Sequence, residues 1–248
     1  MADAVDLEPT RFATLIAPAI DRTFVTAIEA PRYRGGRELV QKYGGSEAVG
    51  LMIDLRNVLA AGRALGPEIV QVSPYLYRDT DAVLDSLRRS AEAGLLETTD
   101  GAHFVASERG RSLLDELAAQ HTAVLGERWA AHTDRVDRLN DVVGRLLAAC
   151  AGSRGVGWET YFPIYEPAGT ASHVVLLNRL QLLRHHRADA HVAAWQAAWL
   201  TAQEIVTMPS GAERDAIEEN TSARAALPYA EISAEERLTM LADLAALP

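Results

Sequence analysis

One part of the chain constrains the fold more than any other. Its sequence pattern changes from that of a helix to that of strands and back to that of a helix. Apolar residues recur at helical spacing over 81–93, a segment that Thr80 can cap and Gly94 can end. Two short strands, at 95–97 and 103–105, then flank a tight turn. A further helix follows them. The stretch therefore predicts helices joined by a β-hairpin.

Two motifs lie beside this hairpin. They are Ala93-Gly94-Leu95-Leu96 before it and Ser107-Glu108-Arg109-Gly110-Arg111-Ser112-Leu113 after it. They resemble the winged helix of the MarR family, in which a recognition helix ends in A-G-L-L, a hairpin wing follows, and T-x-x-G-R-x-L opens the next helix. The resemblance implies a winged helix, a fold that serves DNA binding and also dimerisation or protein contact.

The rest of the chain is predicted to be helical, so the expected fold class is mainly α, with a winged-helix module packed against a helical bundle. We expect N-terminal helices for dimerisation or packing over residues 1–45. A winged-helix domain follows over 46–120. Residues 121–248 are expected to form a helical domain with a candidate ligand pocket. Pro18 interrupts the first apolar stripe and predicts a kink or two short helices there.

Two further helices have recognisable starts. Ser46 is a good N-cap for one predicted helix from Glu47 to Leu65. Ser233 and Glu236 have the spacing of a capping box, which predicts the start of the last helix. That helix and the apolar helix over 8–28 could supply a dimer interface.

Composition limits the function classes. The formal charge is −10, which disfavours non-specific binding to nucleic acid or to anionic membranes. The single cysteine, Cys150, excludes an internal disulfide framework and a cysteine zinc site. No apolar stretch is long enough to span a membrane, and the acidic N-terminus lacks a secretion signal. We therefore expect a cytoplasmic protein.

A DNA-binding function would use helix 81–93 in the major groove and the wing on the phosphate backbone. The candidate contacts are Arg78, Thr80, Arg88, Arg89, His103, Arg109 and Arg111. Local charge opposes this interpretation, because residues 73–115 hold five arginines against eight acidic residues. Asp79, Asp81 and Asp85 lie at the helix start, the end that normally meets the bases.

Three of the seven histidines lie within residues 185–191. His185 and Asp189 are four residues apart, so they share one face of a helix. One hypothesis is a metal site completed by another residue, with candidates Glu159, Glu166 and His173. Another is acid–base catalysis by His191 or by the His185–Asp189 pair. A third is a helix with ordinary surface charges and core tryptophans.

A ligand pocket is the fourth hypothesis for this region. Arg184, Arg187 and His191 could bind an anionic group, while Trp195 and Trp199 form an apolar wall. An aromatic loop before this helix could cover the same pocket or merely fill a gap between helices. Its candidate ligand contacts are Trp158, Tyr161 and Tyr165, next to Phe162.

The same helix carries a second resemblance. Arg187-Ala188-Asp189-Ala190-His191-Val192-Ala193-Ala194 is similar to an R-G-D-G-H-V-A-A signature of a group of actinobacterial helix-turn-helix proteins. Alanines replace both glycines, and the predicted winged helix precedes the motif instead of following it. The resemblance implies a winged helix beside a helical domain and names no substrate.

The leading hypothesis is a ligand-responsive winged-helix transcriptional regulator that binds double-stranded DNA as a homodimer. Its ligand would be small and anionic or aromatic, and no cofactor, metal or membrane is expected. No P-loop, G-x-S-x-G or H-E-x-x-H motif is present. The alternative is an enzyme or small-molecule-binding protein of secondary metabolism, in which the winged helix is a scaffold or dimer contact. A protein–protein adaptor is a third possibility.

Overall fold

The computed structural model describes residues 7–152 and 155–248. These residues are mainly helical, with one two-stranded antiparallel sheet. The α-helices are α1 (Pro9–Glu29), α2 (Gly36–Lys42), α3 (Ser46–Asp54), α4 (Arg56–Ala60), α5 (Thr80–Glu92), α6 (Glu108–Arg128), α7 (Thr133–Ala149), α8 (Val156–Tyr161), α9 (Ser172–Ala197), α10 (Ala202–Thr207), α11 (Ala212–Ala225) and α12 (Ala234–Ala246). The strands are β1 (Leu96–Thr98) and β2 (Phe104–Ala106), and the 3-10 helices are Ala30–Tyr33, Pro67–Gln71, Tyr75–Tyr77, Ala130–His132, Cys150–Gly152 and Leu227–Glu231.

Helix α9 is the centre of the bundle. It packs against α1, α6, α7, α8 and α11. Its N-terminal half is apolar around most of its circumference, with Leu176, Leu177, Leu180 and Leu183 all buried. A helix with this composition is stable only when other helices surround it. One cluster of buried apolar side chains contains residues from all three predicted segments of the chain.

Helix α1 is one continuous helix that includes Pro18. The alternative of two short helices is therefore wrong. Proline lacks the N–H that would bond to the carbonyl four residues earlier, which here belongs to Thr14. Packing of the apolar side of α1 on α9, α11 and α12 offsets that loss. Phe12 and Ile16 on this side are fully buried.

The hairpin region has the predicted order of elements. Strands β1 and β2 pair with Leu96 opposite Ala106, one residue later than expected. Gly94 takes a positive φ of 71° after the end of α5, as a left-handed helix stop requires. The prediction that Thr80 caps α5 is wrong. The side chain of Asp79 accepts the hydrogen bond from the backbone N–H of Ala82.

Of two other predictions about helix boundaries, one is wrong and one is confirmed. The single helix predicted for 47–65 is divided at Leu55 into α3 and α4. The capping box at the start of α12 is confirmed, since Ser233 and Glu236 exchange both hydrogen bonds. Within the described ranges, no helix is both long and apolar enough to span a membrane.

Candidate functional site

A cleft with a volume of about 690 Å³ lies among α1, α9, α10 and α11. The face of α9 that lines it carries Arg184, Arg187, Ala188 and His191. These residues follow the spacing of one helix face, so the wall runs along about two turns of α9. On the opposite side α1 contributes an apolar wall that includes Phe24.

The charge of the cleft is opposite to that of the chain. Its lining includes five arginines and three carboxylates, whereas the whole chain has a formal charge of −10. The arginines are Arg56, Arg78, Arg184, Arg187 and Arg214, and the carboxylates are Asp21, Asp54 and Glu218. A concave site with excess positive charge attracts anions more strongly than a flat surface would.

Three of these arginines are already engaged. Arg184 donates two hydrogen bonds to Asp21 Oδ1 and lies over the ring of Phe24, 4.4 Å from its centroid. Arg214 donates to two backbone carbonyls at the end of α10. Arg56 is buried and donates to Asn178 Oδ1 at 3.2 Å. Burial lowers the pKa of Arg56 to about 10, so it stays charged at neutral pH.

The guanidiniums of the other two arginines donate no hydrogen bond to any residue that the structure describes. Arg187 Nη2 lies 3.5 Å from Glu218 Oε2, while its Nη1 is enclosed and hydrogen-bonds to no described residue. Arg78 lies over the ring of Tyr75, 5.5 Å from its centroid, and forms no ion pair within the described part of the chain. A guanidinium has five N–H donors, so both side chains retain N–H groups that no described acceptor uses.

The floor of the cleft is a buried polar cluster around Asp54. Its Oδ2 accepts a hydrogen bond from the Tyr75 hydroxyl at 3.1 Å. Its backbone carbonyl accepts bonds from the Tyr161 hydroxyl and from Gln181 Nε2. Burial raises the pKa of Asp54 above its usual range, although Tyr75 and the nearby arginines oppose that shift. These bonds tie α8 and α9 to the end of α3.

His191 forms the far end of the arginine-lined wall. Its Nδ1 lies 3.1 Å from Thr221 Oγ1 and 3.9 Å from Glu218 Oε1, both on α11. Burial lowers the pKa of His191, with Arg187 and Arg214 adding to that effect and Glu218 opposing it. The imidazole is therefore neutral near pH 7.

His185 and Asp189 do not form a pair, although four residues separate them. Asp189 instead accepts hydrogen bonds from the backbone N–H groups of Gly157 at 3.0 Å and Trp158 at 2.7 Å, at the start of α8. His185 stacks on Tyr161, with ring centroids 4.0 Å apart. Burial lowers the pKa of His185 to about 3. This geometry does not support acid–base catalysis by a His185–Asp189 pair, and it gives Asp189 a role in positioning α8.

The predicted ligand contacts divide into two groups. Arg184, Arg187, His191 and Tyr161 line the cleft together. Trp158, Trp195 and Tyr165 are outside its lining. Trp158 is buried in the main core, and Trp195 is buried in a second small cluster that includes Ile205 and Ile217. Tyr165 is exposed in the loop after α8, and so is Trp199 after α9.

Sequence reasoning missed several lining residues because other elements supply them. Asp54 and Arg56 come from the junction of α3 and α4, and Arg214 and Glu218 come from α11. The sequence did contain one sign of a site at Asp54 and Arg56. Two opposite charges inside an otherwise apolar helical run need a partner or a ligand, because buried charges are costly when alone.

The candidate DNA contacts are dispersed. Arg78 lines the cleft, Thr80 is the first residue of α5, and Arg89 donates to Ser86 Oγ. The other contacts have local partners: Arg88 with Asp85, His103 with Asp100, Arg109 with the Lys42 carbonyl and Arg111 with the Ala106 carbonyl.

The outer face of α5 carries mostly negative charge. Asp81, Arg88 and Glu92 are exposed, and Asp85 is half exposed beside Arg88. The buried side, Val83 and Leu87, packs toward α3. An anionic helix face repels a phosphate-lined groove.

No three histidine, cysteine, aspartate or glutamate side chains converge on a metal-sized space in residues 7–152 and 155–248. No protein-family model matches the chain, and no curated protein or solved structure is significantly similar to it.

Proposed function

We propose that this protein binds a small organic anion in the cleft among α1, α9, α10 and α11. One observation carries the proposal: an acidic chain concentrates five arginines, against three carboxylates, on a concave surface. Arginine binds carboxylate and phosphate groups through parallel N–H donors, and a cleft strengthens that attraction by excluding water. Such a protein is the small-molecule-binding alternative that the sequence also allows.

Arg78 and Arg187 are the expected first contacts. The other three guanidiniums donate hydrogen bonds to protein acceptors, whereas Arg187 has only its 3.5 Å ion pair with Glu218. Aromatic side chains, among them Tyr77, Phe24 and Tyr229, contribute to the same lining. Ring surfaces beside guanidiniums suit a planar organic body with an anionic end. Benzoate and phenyl phosphate have this chemistry and are suitable probes.

Isothermal titration of both probes tests the proposal. Arg187→Gln should weaken binding about 10-fold to 100-fold, the effect of one lost charge-assisted hydrogen bond. Arg78→Gln should weaken it in the same direction. Arg88→Gln is the matched control, because Arg88 is exposed on α5 and lies outside the cleft. Equal affinity in all four proteins, or no binding to any, would overturn the proposal.

A ligand-responsive winged-helix regulator is the second candidate, and one contact favours it. Tyr77 and Arg78 line the cleft and directly precede Asp79, the residue that caps α5. An anion held by Arg78 would therefore pull on the start of α5. In a MarR-like protein, which acts as a homodimer, the corresponding helix lies in the major groove. The acidic outer face of α5 weighs against this candidate and makes it the second.

A mobility-shift assay on a pool of random duplexes tests the regulator, in a salt series with and without benzoate. The regulator requires retention at low salt that weakens as salt rises, and a change of retention with benzoate. Arg88→Gln combined with Arg89→Gln should reduce that retention. If no duplex is retained even at the lowest salt, the regulator is excluded while anion binding in the cleft is unaffected.

A further inference from the structure

The hydrogen bonds around His191 determine which ring nitrogen carries the proton. The hydroxyl of Thr221 donates its single hydrogen to the carbonyl of Ile217 at 2.8 Å. Its oxygen can therefore only accept from His191 Nδ1, at 3.1 Å. Glu218 Oε1, 3.9 Å from the same nitrogen, also attracts the proton to Nδ1. The neutral ring consequently has a lone pair on Nε2.

That lone pair is available to a ligand. Within the described part of the chain, Nε2 of His191 has no hydrogen-bond partner, and it is not among the enclosed polar atoms. His191 lines the cleft one helical turn beyond Arg187. The cleft thus presents a strong donor, the guanidinium, and a pure acceptor, the imidazole, on the same wall.

We propose, resting on anion binding in the cleft, that Nε2 of His191 accepts a hydrogen bond from the ligand and selects organic anions that also carry a hydroxyl or amino hydrogen. Residues four apart on a helix have Cβ atoms about 5–6 Å apart. A benzene ring that bears the anionic group and the donor in meta or para positions spans that separation. The ligand class is therefore a hydroxylated or amino-substituted organic acid.

The selection works by rejection as much as by attraction. A ligand that presents an ether or carbonyl oxygen to Nε2 brings two lone pairs together and leaves both unsatisfied. The cost of such a mismatch is larger than the gain from one good hydrogen bond. The ligand with the hydrogen should therefore bind about fivefold to tenfold tighter than the same molecule with a methyl group in its place.

Titration of meta- and para-hydroxybenzoate against the matching methoxybenzoates, near neutral pH, tests this inference. In the wild type at least one hydroxybenzoate should bind about fivefold to tenfold tighter than its methyl ether. Equal binding, or tighter binding of both ethers, would overturn the inference while anion binding stands. Absence of binding by all four acids and by benzoate would overturn both.

Two variants test whether the ligand preference comes from the proton position on His191 or from the shape of the cleft. Thr221→Val removes the hydrogen-bond acceptor and leaves only the weaker attraction of Glu218 on Nδ1, so part of the protein carries the proton on Nε2 and the preference should fall. Thr122→Val is the matched control, since its hydroxyl also donates to the carbonyl four residues earlier but lies on the exposed side of α6. An undiminished preference in Thr221→Val would overturn the inference.

His191→Phe keeps a ring and removes both nitrogens. It replaces Thr221→Val as the test variant if a thermal melt shows that Thr221→Val is not folded. It should lose the preference while it still binds benzoate through the arginines. A retained preference in His191→Phe would overturn the inference.

Discussion

Asp189 Oδ2 accepts a hydrogen bond of 2.7 Å from the backbone N–H of Trp158, and this contact fixes the start of α8 on α9. The carboxylate is partly buried, and its Oδ1 accepts a second bond from Gly157. Trp158 then fills the core, and Tyr161 reaches the floor of the cleft. Asp189 is therefore a positioning residue that lies outside the lining of the cleft.

Asp189→Asn should destabilise the fold by about 1–3 kcal/mol, because an amide offers one acceptor oxygen where two N–H groups need one each. Asp137→Asn, on the exposed side of α7, is the control and should change stability by less than about 0.5 kcal/mol. Urea denaturation measures both. Equal stability of the two variants would contradict the role given to Asp189.

Acid should destabilise the protein through two buried histidines. Burial lowers the pKa of His185 to about 3 and that of His121 to about 4. Both remain neutral in the folded state, while the unfolded chain binds protons as pH falls below about 6.5. Stability should therefore fall with decreasing pH by about 1.4 kcal/mol per unit for each histidine, until the folded-state pKa is reached.

His185→Gln tests this assignment, because it removes one of the two groups. Its free energy of unfolding should fall less steeply with decreasing pH than that of the wild type, by about 1.4 kcal/mol per unit below the unfolded-state pKa. The comparison uses the slope, so a general loss of stability in the variant does not disturb it. Parallel slopes would mean that His185 takes up a proton in the folded state.

Replacing each of two glycines with alanine should change stability in opposite directions. A Cβ on Gly110 would lie 2.0 Å from the carbonyl oxygen of Leu95, at the contact between α6 and the hairpin. Gly110→Ala should therefore cost about 1–3 kcal/mol from overpacking. A Cβ on Gly50, in α3, would meet nothing within 4 Å, so Gly50→Ala should stabilise by about 0.5–1 kcal/mol. Thermal melts that show the same sign for both would contradict the packing described.

The sequence predicted well those features that depend on local periodicity. The spacing of Arg184, Arg187 and His191 placed them on one side of a helix, and the structure has them on one wall of the cleft. Gly94 and Ser107 bounded the hairpin correctly to within a residue or two. In these cases the physical cause lies within a few residues of the feature itself.

Features that depend on which helices meet were beyond the sequence pattern. Helical spacing put Trp195 near His191, but Trp195 packs in a separate cluster with Ile205 of α10 and Ile217 of α11. Spacing also paired His185 with Asp189, yet the N–H groups of a segment about 30 residues away bind the carboxylate instead. Arg78, a predicted DNA contact, also lines a cleft formed with distant helices, and its own segment gave no sign of that.

Crystals of the protein soaked with para-bromobenzoate give the most direct test of the central claim, because bromine scatters anomalously and marks the position of the ring. Anion binding in the cleft predicts an anomalous peak inside it, with the carboxylate within hydrogen-bond distance of Arg187 or Arg78. The peak should be weaker in Arg187→Gln crystals soaked in the same way, because the affinity falls about 10-fold to 100-fold. Bromine found only on the outer surface, with an empty cleft in the wild type, would contradict anion binding at this site.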